Sequence, residues 1–136
     1  MEYPISEIIQ IVNGKSALKP FYDRIIRDIL IDSRKLISPE QCLFFALSSK
    51  RNDGHKYIPE LYGKGLRDFV VTRLPEDIGA FPDANFIIVK NTLNALQALA
   101  RAHREKFRIP VIGVTGSNGK TVVKEWLYQL LSKDKK

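Results

Sequence analysis

Apolar residues along this chain fall into short runs, and the spacing within them alternates between that of a strand and that of a helix. Continuous apolar or β-branched runs predict four buried strands, at 25–31, 42–47, 68–72 and 86–89. A short first helix is predicted with Ser6 as its N-cap and Gly14 at its end. A second helix carries Ile58, Leu61 and Tyr62 on one face.

The clearest helical pattern follows the fourth predicted strand. Its inward positions recur every three or four residues and are Leu93, Leu96, Leu99, Ala100, His103 and Phe107. Asn91 or Thr92 is placed to cap this helix, with ligand contact as a second role, and Pro110 stops it. We interpret His103 as a packing residue whose polar atoms are satisfied inside the fold.

Because strands alternate with helices, the sequence predicts an α/β fold with a layered, mostly parallel sheet and flanking helices. The end of the long helix indicates a boundary near 106–110. We therefore expect one domain at 1–108 and the start of a second at 109–136.

The second segment opens with a phosphate-binding pattern. A β-branched run at 111–114 leads into a Gly-rich turn that ends in Gly-Lys-Thr and starts a helix, which is typical of a P-loop. The backbone N–H groups of such a loop point at an anion, Lys120 adds a charge for the phosphates, and the Thr121 hydroxyl is suited to ligate Mg²⁺. The residues expected to bind the nucleotide are Thr115, Gly116, Ser117, Asn118, Gly119, Lys120 and Thr121.

This loop departs from the general P-loop pattern, so an ordinary Gly-rich turn stays an alternative. Val114 stands where the pattern asks for its first Gly. Fifteen residues (122–136) follow Thr121, whereas a nucleotide-binding domain needs further parallel strands and an acidic residue near Mg²⁺. We expect a fragment that is inactive alone, in which either the loop is mobile or the last helix packs on the first domain or on a second copy of the chain.

The composition is that of a globular protein, with 44% hydrophobic and 27% charged residues. No apolar run approaches the roughly 20 residues of a membrane-spanning helix, and no signal peptide is visible, so we expect no membrane partner. Cys42 is the only cysteine, and one cysteine with two histidines is too few for a dedicated zinc site. A reducing cytoplasm is the simplest location.

The net charge of +7 indicates an anionic partner. The basic residues are scattered, apart from groups at 101–108 and 133–136, and solvated helix faces explain them. Nucleic-acid binding is not expected, because the sequence has no basic strand with interleaved aromatics and no recognition-helix pattern. A basic nucleic-acid or protein-interaction module with an incidental P-loop stays the alternative from another functional class.

Two polar tripeptides provide further candidate chemistry. Asp32-Ser33-Arg34 follows the first predicted strand, at the edge where ligands bind in open α/β sheets. Arg34 offers a fork of donors for a phosphate or a uracil carbonyl, and the alternative is a turn with a surface salt bridge. Asp53-Gly54-His55 is either a turn in which Asp53 caps the next helix or a place where His55 hydrogen-bonds a ligand.

Four of these motifs, in this order, resemble those of the Mur ligase family. The loop at 115–121 resembles the ATP loop of the family, and the segments at 32–34, 43–47 and 53–55 resemble its "DSR", "LFxAL" and "DGH" series. The resemblance covers nearly the whole chain. Two loops depart from the family pattern: this chain has Pro39-Glu40-Gln41 where the family usually has Pro-Gly-Asp, and Ser48-Ser49 where it usually has Lys-Gly.

Within the family, the run at 119–125 is most similar to the ligases that add D-Ala-D-Ala. Its continuation to Trp126 and Leu127 is similar to a form fused to alanine racemase. The ligases that add the third peptide residue stay the alternative.

The resemblance implies the UDP-binding N-terminal part of an ATP-dependent ligase of peptidoglycan synthesis, with ATP and Mg²⁺ as cofactors. It implies UDP-N-acetylmuramoyl-tripeptide and D-Ala-D-Ala as substrates, which the full enzyme joins through an acyl phosphate. Lys120 matches a catalytic position. The matching substrate-binding positions are Ser33, Arg34, Phe45, Ala46, Leu47, Ser48, Asp53, His55, Asn91 and Thr92.

Overall fold

A computed structural model describes residues 2–17, 21–50 and 52–132 of the chain. In chain order its strands and helices are β1 (Tyr3–Pro4), α1 (Ile5–Ile11), β2 (Lys15–Ser16), β3 (Ile25–Ile26), β4 (Asp28–Leu30), β5 (Cys42–Phe45), α2 (Ile58–Gly63), β6 (Asp68–Val71), β7 (Asn85–Ile88), α3 (Thr92–Glu105) and α4 (Lys120–Ser132). Short 3₁₀ helices lie between them at Ser33–Lys35, Pro39–Gln41, Gly54–Tyr57 and Ile78–Ala80.

The main sheet has five strands in the order β2-β7-β6-β5-β4. The four strands β4, β5, β6 and β7 are parallel to one another, and β2 pairs antiparallel with β7 at one edge. A separate two-stranded sheet joins β1 to β3. The predicted α/β class is therefore confirmed, and the main sheet is mixed with a parallel centre.

Helices cover both faces of the main sheet. On one face Leu43 and Phe45 of β5 share a core cluster with residues of α1 and α3, whereas on the other Phe44 packs in a cluster with Ile58 and Leu61 of α2. All four residues of β5 are buried. Burial on both faces explains why the central strands appear in the sequence as continuous apolar runs rather than as alternating patterns.

The beginning of the chain differs from the prediction in two details. The predicted strand at 25–31 consists of two strands, β3 and β4, which belong to different sheets. Arg27 lies between them, and its N–H donates to the Gln41 carbonyl at 2.8 Å. The prediction of Ser6 as a helix cap is wrong, because Pro4 holds that position. The Ser6 hydroxyl donates instead to Asp23 Oδ2 at 2.8 Å.

The predicted strand at 111–114 is not formed, since residues 107–116 carry neither helix nor strand. A strand needs a neighbour for its backbone hydrogen bonds, and no described segment pairs with this one. Val111 and Ile112 are consequently 68% and 58% exposed. The predicted helix after the loop is present as α4, whereas the basic run at 133–136 lies outside the described residues.

Among the described residues, none of the helices combines the length and the apolar character needed to cross a membrane.

Candidate functional site

A pocket of about 540 Å³ opens at the edge of the main sheet where β4 and β5 end. It gathers three segments that are separate in sequence, and its lining residues are Ile31, Asp32, Ser33, Arg34, Phe44, Leu47, Ser48, Ser49, Asn52, Gly54, Tyr57 and Leu93. Carboxyl ends of parallel strands meet at one edge, and this is the edge where open α/β sheets bind ligands. All three residues of 32–34 and Gly54 of the second tripeptide therefore line one cavity.

One wall of the pocket is the turn after β4. Asp32 caps the 3₁₀ helix Ser33–Lys35 by accepting from the Arg34 N–H at 3.1 Å. The Arg34 guanidinium also donates to both carboxylate oxygens of Asp32, from Nε at 2.9 Å and from Nη2 at 2.8 Å. These hydrogen bonds lower the pKa of Asp32 to about 2, so the pair is charged at neutral pH.

The Arg34 side chain is 85% exposed, so its remaining donors face solvent at the pocket wall. Ser33 next to it is buried. The surface salt bridge is therefore present, with one edge of the guanidinium on Asp32. The other edge remains accessible, and the ligand-binding role of Arg34 stays a prediction.

The opposite wall depends on Asp53. Its Oδ1 accepts from the Ser48 hydroxyl at 2.8 Å, from the His55 N–H at 3.1 Å and from His55 Nδ1 at 2.7 Å. Its Oδ2 forms an ion pair with Arg73. Partial burial raises the pKa of Asp53, but the hydrogen bonds from His55, Ser48 and Arg73 outweigh that effect and lower it overall.

His55 uses both ring nitrogens inside the protein. The backbone N–H of Thr72 donates to Nε2 at 3.1 Å, so Nε2 is an acceptor and carries no proton. The proton of the neutral ring therefore lies on Nδ1, where it is donated to Asp53. The His55 side chain is 8% exposed, and it does not line the pocket at β4 and β5.

The remaining predicted substrate residues divide into three groups by position. Leu47 and Ser48 line the pocket, whereas Phe45 and Ala46 are fully buried beneath it. Thr92 is buried, and its hydroxyl donates to the Ala46 carbonyl at 3.2 Å. Asn91 caps α3, as predicted, by accepting from the Asn94 N–H at 2.9 Å.

Several pocket residues were not identified from the sequence. The helical spacing assigned Leu93 to the inner face of α3, but Leu93 is 51% exposed and forms an apolar wall of the pocket together with Ile31. Asn52 and Tyr57 line it as well, and the Tyr57 hydroxyl donates to Asn52 Oδ1 at 3.3 Å. A side chain in the first turn of a helix that starts at a strand end faces the sheet edge, and this is the signal that could have identified Leu93.

The Gly-rich loop at 115–121 stands apart from this pocket. Gly116 and Gly119 have φ values of 143° and 76°, which favour glycine. Lys120 begins α4, and its Nζ donates to the carbonyls of Gly116 and Ser117. A smaller pocket of about 270 Å³ beside the loop is lined by Ile112, Val114, Lys120, Thr121 and Lys124.

The described residues contain no group of three or more His, Cys, Asp or Glu side chains that could hold a metal ion by themselves. In the loop, Thr121 supplies one hydroxyl at the first turn of α4. A cation at that position would need most of its ligands from phosphate oxygens and water, as Mg²⁺ commonly has.

Comparison with known proteins finds ligases of peptidoglycan precursors. The chain is 34% identical over 131 residues to a UDP-N-acetylmuramoyl-tripeptide–D-alanyl-D-alanine ligase of Bacillus subtilis, covering 93% of this chain and 27% of the relative. It is 42% identical over 107 residues to the ligase of the same description in Synechocystis, covering 79% and 23%. A UDP-N-acetylmuramoyl-L-alanyl-D-glutamate–2,6-diaminopimelate ligase of Clostridium tetani is 37% identical over 98 residues, covering 71% and 20%.

The solved structures that resemble this chain are ligases of the same kind. A MurF structure from Acinetobacter baumannii superposes with a TM-score of 0.82 at 28% identity, covering 98% of this chain and 28% of the other. The MurF ligase of Thermotoga maritima in complex with ADP gives 0.61 at 32% identity, covering 79% and 23%. The chain thus spans about a quarter of the length of the relatives it matches. The chain matches no protein-family model.

Proposed function

This chain is a short homologue of the UDP-N-acetylmuramoyl-tripeptide–D-alanyl-D-alanine ligases, a branch of the Mur ligase family, and on that premise we propose that it binds the UDP end of UDP-N-acetylmuramoyl-tripeptide. The full enzyme would use ATP to join this substrate to D-Ala-D-Ala in the cytoplasm. The observation that carries the proposal is the convergence of three motif segments on one pocket at the carboxyl edge of the sheet.

The pocket has the chemistry that a nucleotide end requires. Exposed Ile31 and Leu93 provide apolar surface for a flat base, while Arg34 provides a charged donor for a carbonyl or a phosphate oxygen. Ser33 and Ser48 add hydroxyls on either side. A volume of about 540 Å³ is within the usual range for small-molecule sites.

The unit at 109–136 is proposed to contribute to ATP binding. Left-handed glycines at Gly116 and Gly119 turn the backbone ahead of a helix N-terminus, which is the arrangement that accepts a phosphate. Apart from its two chain neighbours, no described residue has an atom within 4 Å of a Cβ built on Gly119, so a phosphate can approach there. Lys120 would exchange its loop carbonyls for phosphate oxygens, and Thr121 would ligate Mg²⁺. A related MurF ligase is described in complex with ADP.

When bound, ATP supplies the phosphoryl group that turns an unreactive carboxylate into an acyl phosphate. The residues of this chain would hold the reactants for that step, Arg34 and Ser48 at the UDP end and Lys120 at the phosphates. Fixing both reactants removes much of the entropic barrier of a reaction between separate molecules.

Isothermal titration with UDP-N-acetylmuramoyl-tripeptide tests the proposal. We expect the chain to bind, and Arg34→Ala to weaken binding roughly tenfold or more, because it removes a charged hydrogen-bond donor. Arg101→Ala is the matched control, since Arg101 is exposed to a similar extent, 83% against 85%, on α3 outside the pocket. Absence of binding at millimolar ligand, or equal losses in both variants, would contradict the assignment.

A second candidate is the ligase that adds the third peptide residue, which the similarity to the Clostridium tetani enzyme favours. Its substrate shares the UDP end, so binding by this pocket does not separate the two functions. Phosphate release by the full-length enzyme separates the two functions. We expect turnover with UDP-N-acetylmuramoyl-tripeptide and D-Ala-D-Ala, and none with UDP-N-acetylmuramoyl-L-alanyl-D-glutamate and diaminopimelate.

The net charge of +7 favours a candidate function from another functional class, that of a module that binds nucleic acid. A mobility-shift assay at low salt with duplex and single-stranded oligonucleotides decides it. We expect no shift, and a shift that disappears with added salt would support the nucleic-acid module.

A further inference from the structure

We propose that His55 is a positioning residue, which holds Ser48 at the pocket wall through Asp53 and Thr72 and does not contact the ligand itself. The proposal rests on the function proposed above for the identity of the ligand. It differs from the sequence expectation, which placed Asp53 and His55 among the residues that bind the substrate.

The first argument is the protonation of the ring. Thr72 N–H can only donate, so His55 Nε2 has its lone pair occupied at 3.1 Å. Nδ1 donates to Asp53 Oδ1 at 2.7 Å and lies 3.3 Å from the Ser48 oxygen. With both nitrogens engaged and 8% of the side chain exposed, the ring has no free polar atom for a ligand.

The second argument is the position of the network in the sheet. The ladder between β5 and β6 pairs Phe45 with Val70, and one further backbone bond joins the Ala46 N–H to the Val70 carbonyl at 3.0 Å. The paired register of β5 and β6 ends there. His55 then connects the segment after β6, at Thr72, to the segment after β5, at Ser48, through Asp53.

The third argument concerns what Ser48 offers to the pocket. Its hydroxyl proton is donated to Asp53 at 2.8 Å. The Ser48 oxygen therefore presents acceptor lone pairs, and it favours a ligand group that donates a hydrogen bond, such as a hydroxyl or an imide N–H. Loss of the His55 ring would remove one of the hydrogen bonds that fix Asp53, which would keep those from the His55 N–H and from Arg73, and would loosen the orientation of the Ser48 hydroxyl.

Titration calorimetry with UDP-N-acetylmuramoyl-tripeptide tests the coupling. We expect His55→Ala to weaken binding about tenfold, a loss equivalent to one buried hydrogen bond. His55→Asn keeps a donor near the Nδ1 position and His55→Gln keeps an acceptor near the Nε2 position, so each should recover part of the loss. Lys56→Gln, on the same 3₁₀ helix but with an exposed side chain, is the matched control and should bind as the unmodified chain does.

A double-mutant cycle separates positioning from contact. If His55 acts through Ser48, the Ser48→Ala, His55→Ala double variant should lose little more affinity than the weaker-binding single variant. Additive losses would mean that His55 contacts the ligand independently and would overturn the proposal. Unchanged affinity in His55→Ala would overturn it as well.

Nitrogen-15 NMR of the imidazole ring tests the geometry without any ligand. We expect a protonated Nδ1 and an unprotonated Nε2 for His55, and a displaced amide signal for Thr72 in His55→Ala. The opposite tautomer would refute the network. If the ring spectra agree but the unmodified chain binds no UDP ligand, the proposed function fails while the positioning of Ser48 stands.

Discussion

The N–H of Gly54 donates a hydrogen bond to the carbonyl oxygen of Leu47 at 2.8 Å, and a Cβ built on Gly54 would lie 2.7 Å from that same oxygen. It would also lie 2.8 Å from the backbone nitrogen of Leu47. The two backbones thus pack against each other with no room for a side chain. This contact closes the floor of the pocket, because both residues line it.

Gly54→Ala is therefore expected to destabilise the fold and to weaken binding of the UDP ligand. Backbone atoms cannot rotate away as a side chain can, so the strain should cost about 1–3 kcal/mol in the free energy of unfolding. Gly63→Ala is the control, since among the described residues nothing beyond its own helix and its chain neighbours lies within 4 Å of a Cβ at that position. Urea unfolding should show Gly63→Ala unchanged or more stable by up to about 1 kcal/mol. Equal stability of the two variants would contradict the contact.

Thr92→Val tests the bond that joins α3 to the end of β5. The change keeps the shape but removes the hydroxyl that donates to the buried Ala46 carbonyl at 3.2 Å. We expect a loss of about 1–3 kcal/mol in the free energy of unfolding, because a buried acceptor loses its donor. Thr121→Val, at the exposed start of α4, should change stability by less than about 0.5 kcal/mol. A Thr92→Val variant as stable as its control would show that the bond contributes little.

The central strands could be predicted from the sequence, whereas the short edge elements could not. Strand β5 is buried on both faces and therefore appears as a continuous apolar run. Strand β2 consists of Lys15 and Ser16, two exposed polar residues that contain no periodicity to detect. The break at Arg27 escaped detection for a related reason, since the change from one sheet to the other depends on partners that are distant in sequence.

The pocket, like the fold, could be predicted from the sequence only in part. Asp32-Ser33-Arg34 could be assigned to the sheet edge, because it follows a predicted strand, whereas Ser48 was expected at the site only from the resemblance. The inward assignment of Leu93 was wrong because helical spacing does not show where the core ends and the sheet edge begins. The hydrogen bonds that occupy both nitrogens of His55 join it to Asp53 and to Thr72, which follows β6, and no sequence pattern contains that geometry.

Asp68 should make stability depend on pH. Its carboxylate is fully buried at the start of β6, and Oδ2 has no hydrogen-bond partner among the described residues. Burial raises the pKa of Asp68 above 3.8, against the opposing effects of Asn85 and Arg24. The folded state therefore binds the proton more tightly than the unfolded state, so this contribution to stability is present below pH 3.8 and is lost as the pH rises through the folded pKa.

Asp68→Asn removes this titration while keeping one acceptor oxygen for Asn85 and Arg24. We expect the variant to gain stability relative to the unmodified chain between about pH 4 and about pH 7, as measured by urea unfolding at both values. Glu40→Gln, at an exposed surface position, should follow the unmodified chain at both. A relative loss of stability for Asp68→Asn with rising pH would mean that the ion pair with Arg24 outweighs the cost of burial.

The last prediction concerns catalysis by this chain of 136 residues. We expect no ATP hydrolysis and no amide-bond formation. The loop at 115–121 has no strand beside it among the described residues, and Lys120 donates to carbonyls of its own loop. No described cluster of acidic residues completes a metal site around Thr121. Imperfect alignment of the reactants alone can forfeit about 7–11 kcal/mol of barrier reduction. A phosphate-release assay with ATP, Mg²⁺, UDP-N-acetylmuramoyl-tripeptide and D-Ala-D-Ala provides the measurement, with Lys120→Ala as the control for contaminating activity. Turnover in the unmodified chain that disappears in Lys120→Ala would show that residues 109–132 already hold the nucleotide in a productive geometry.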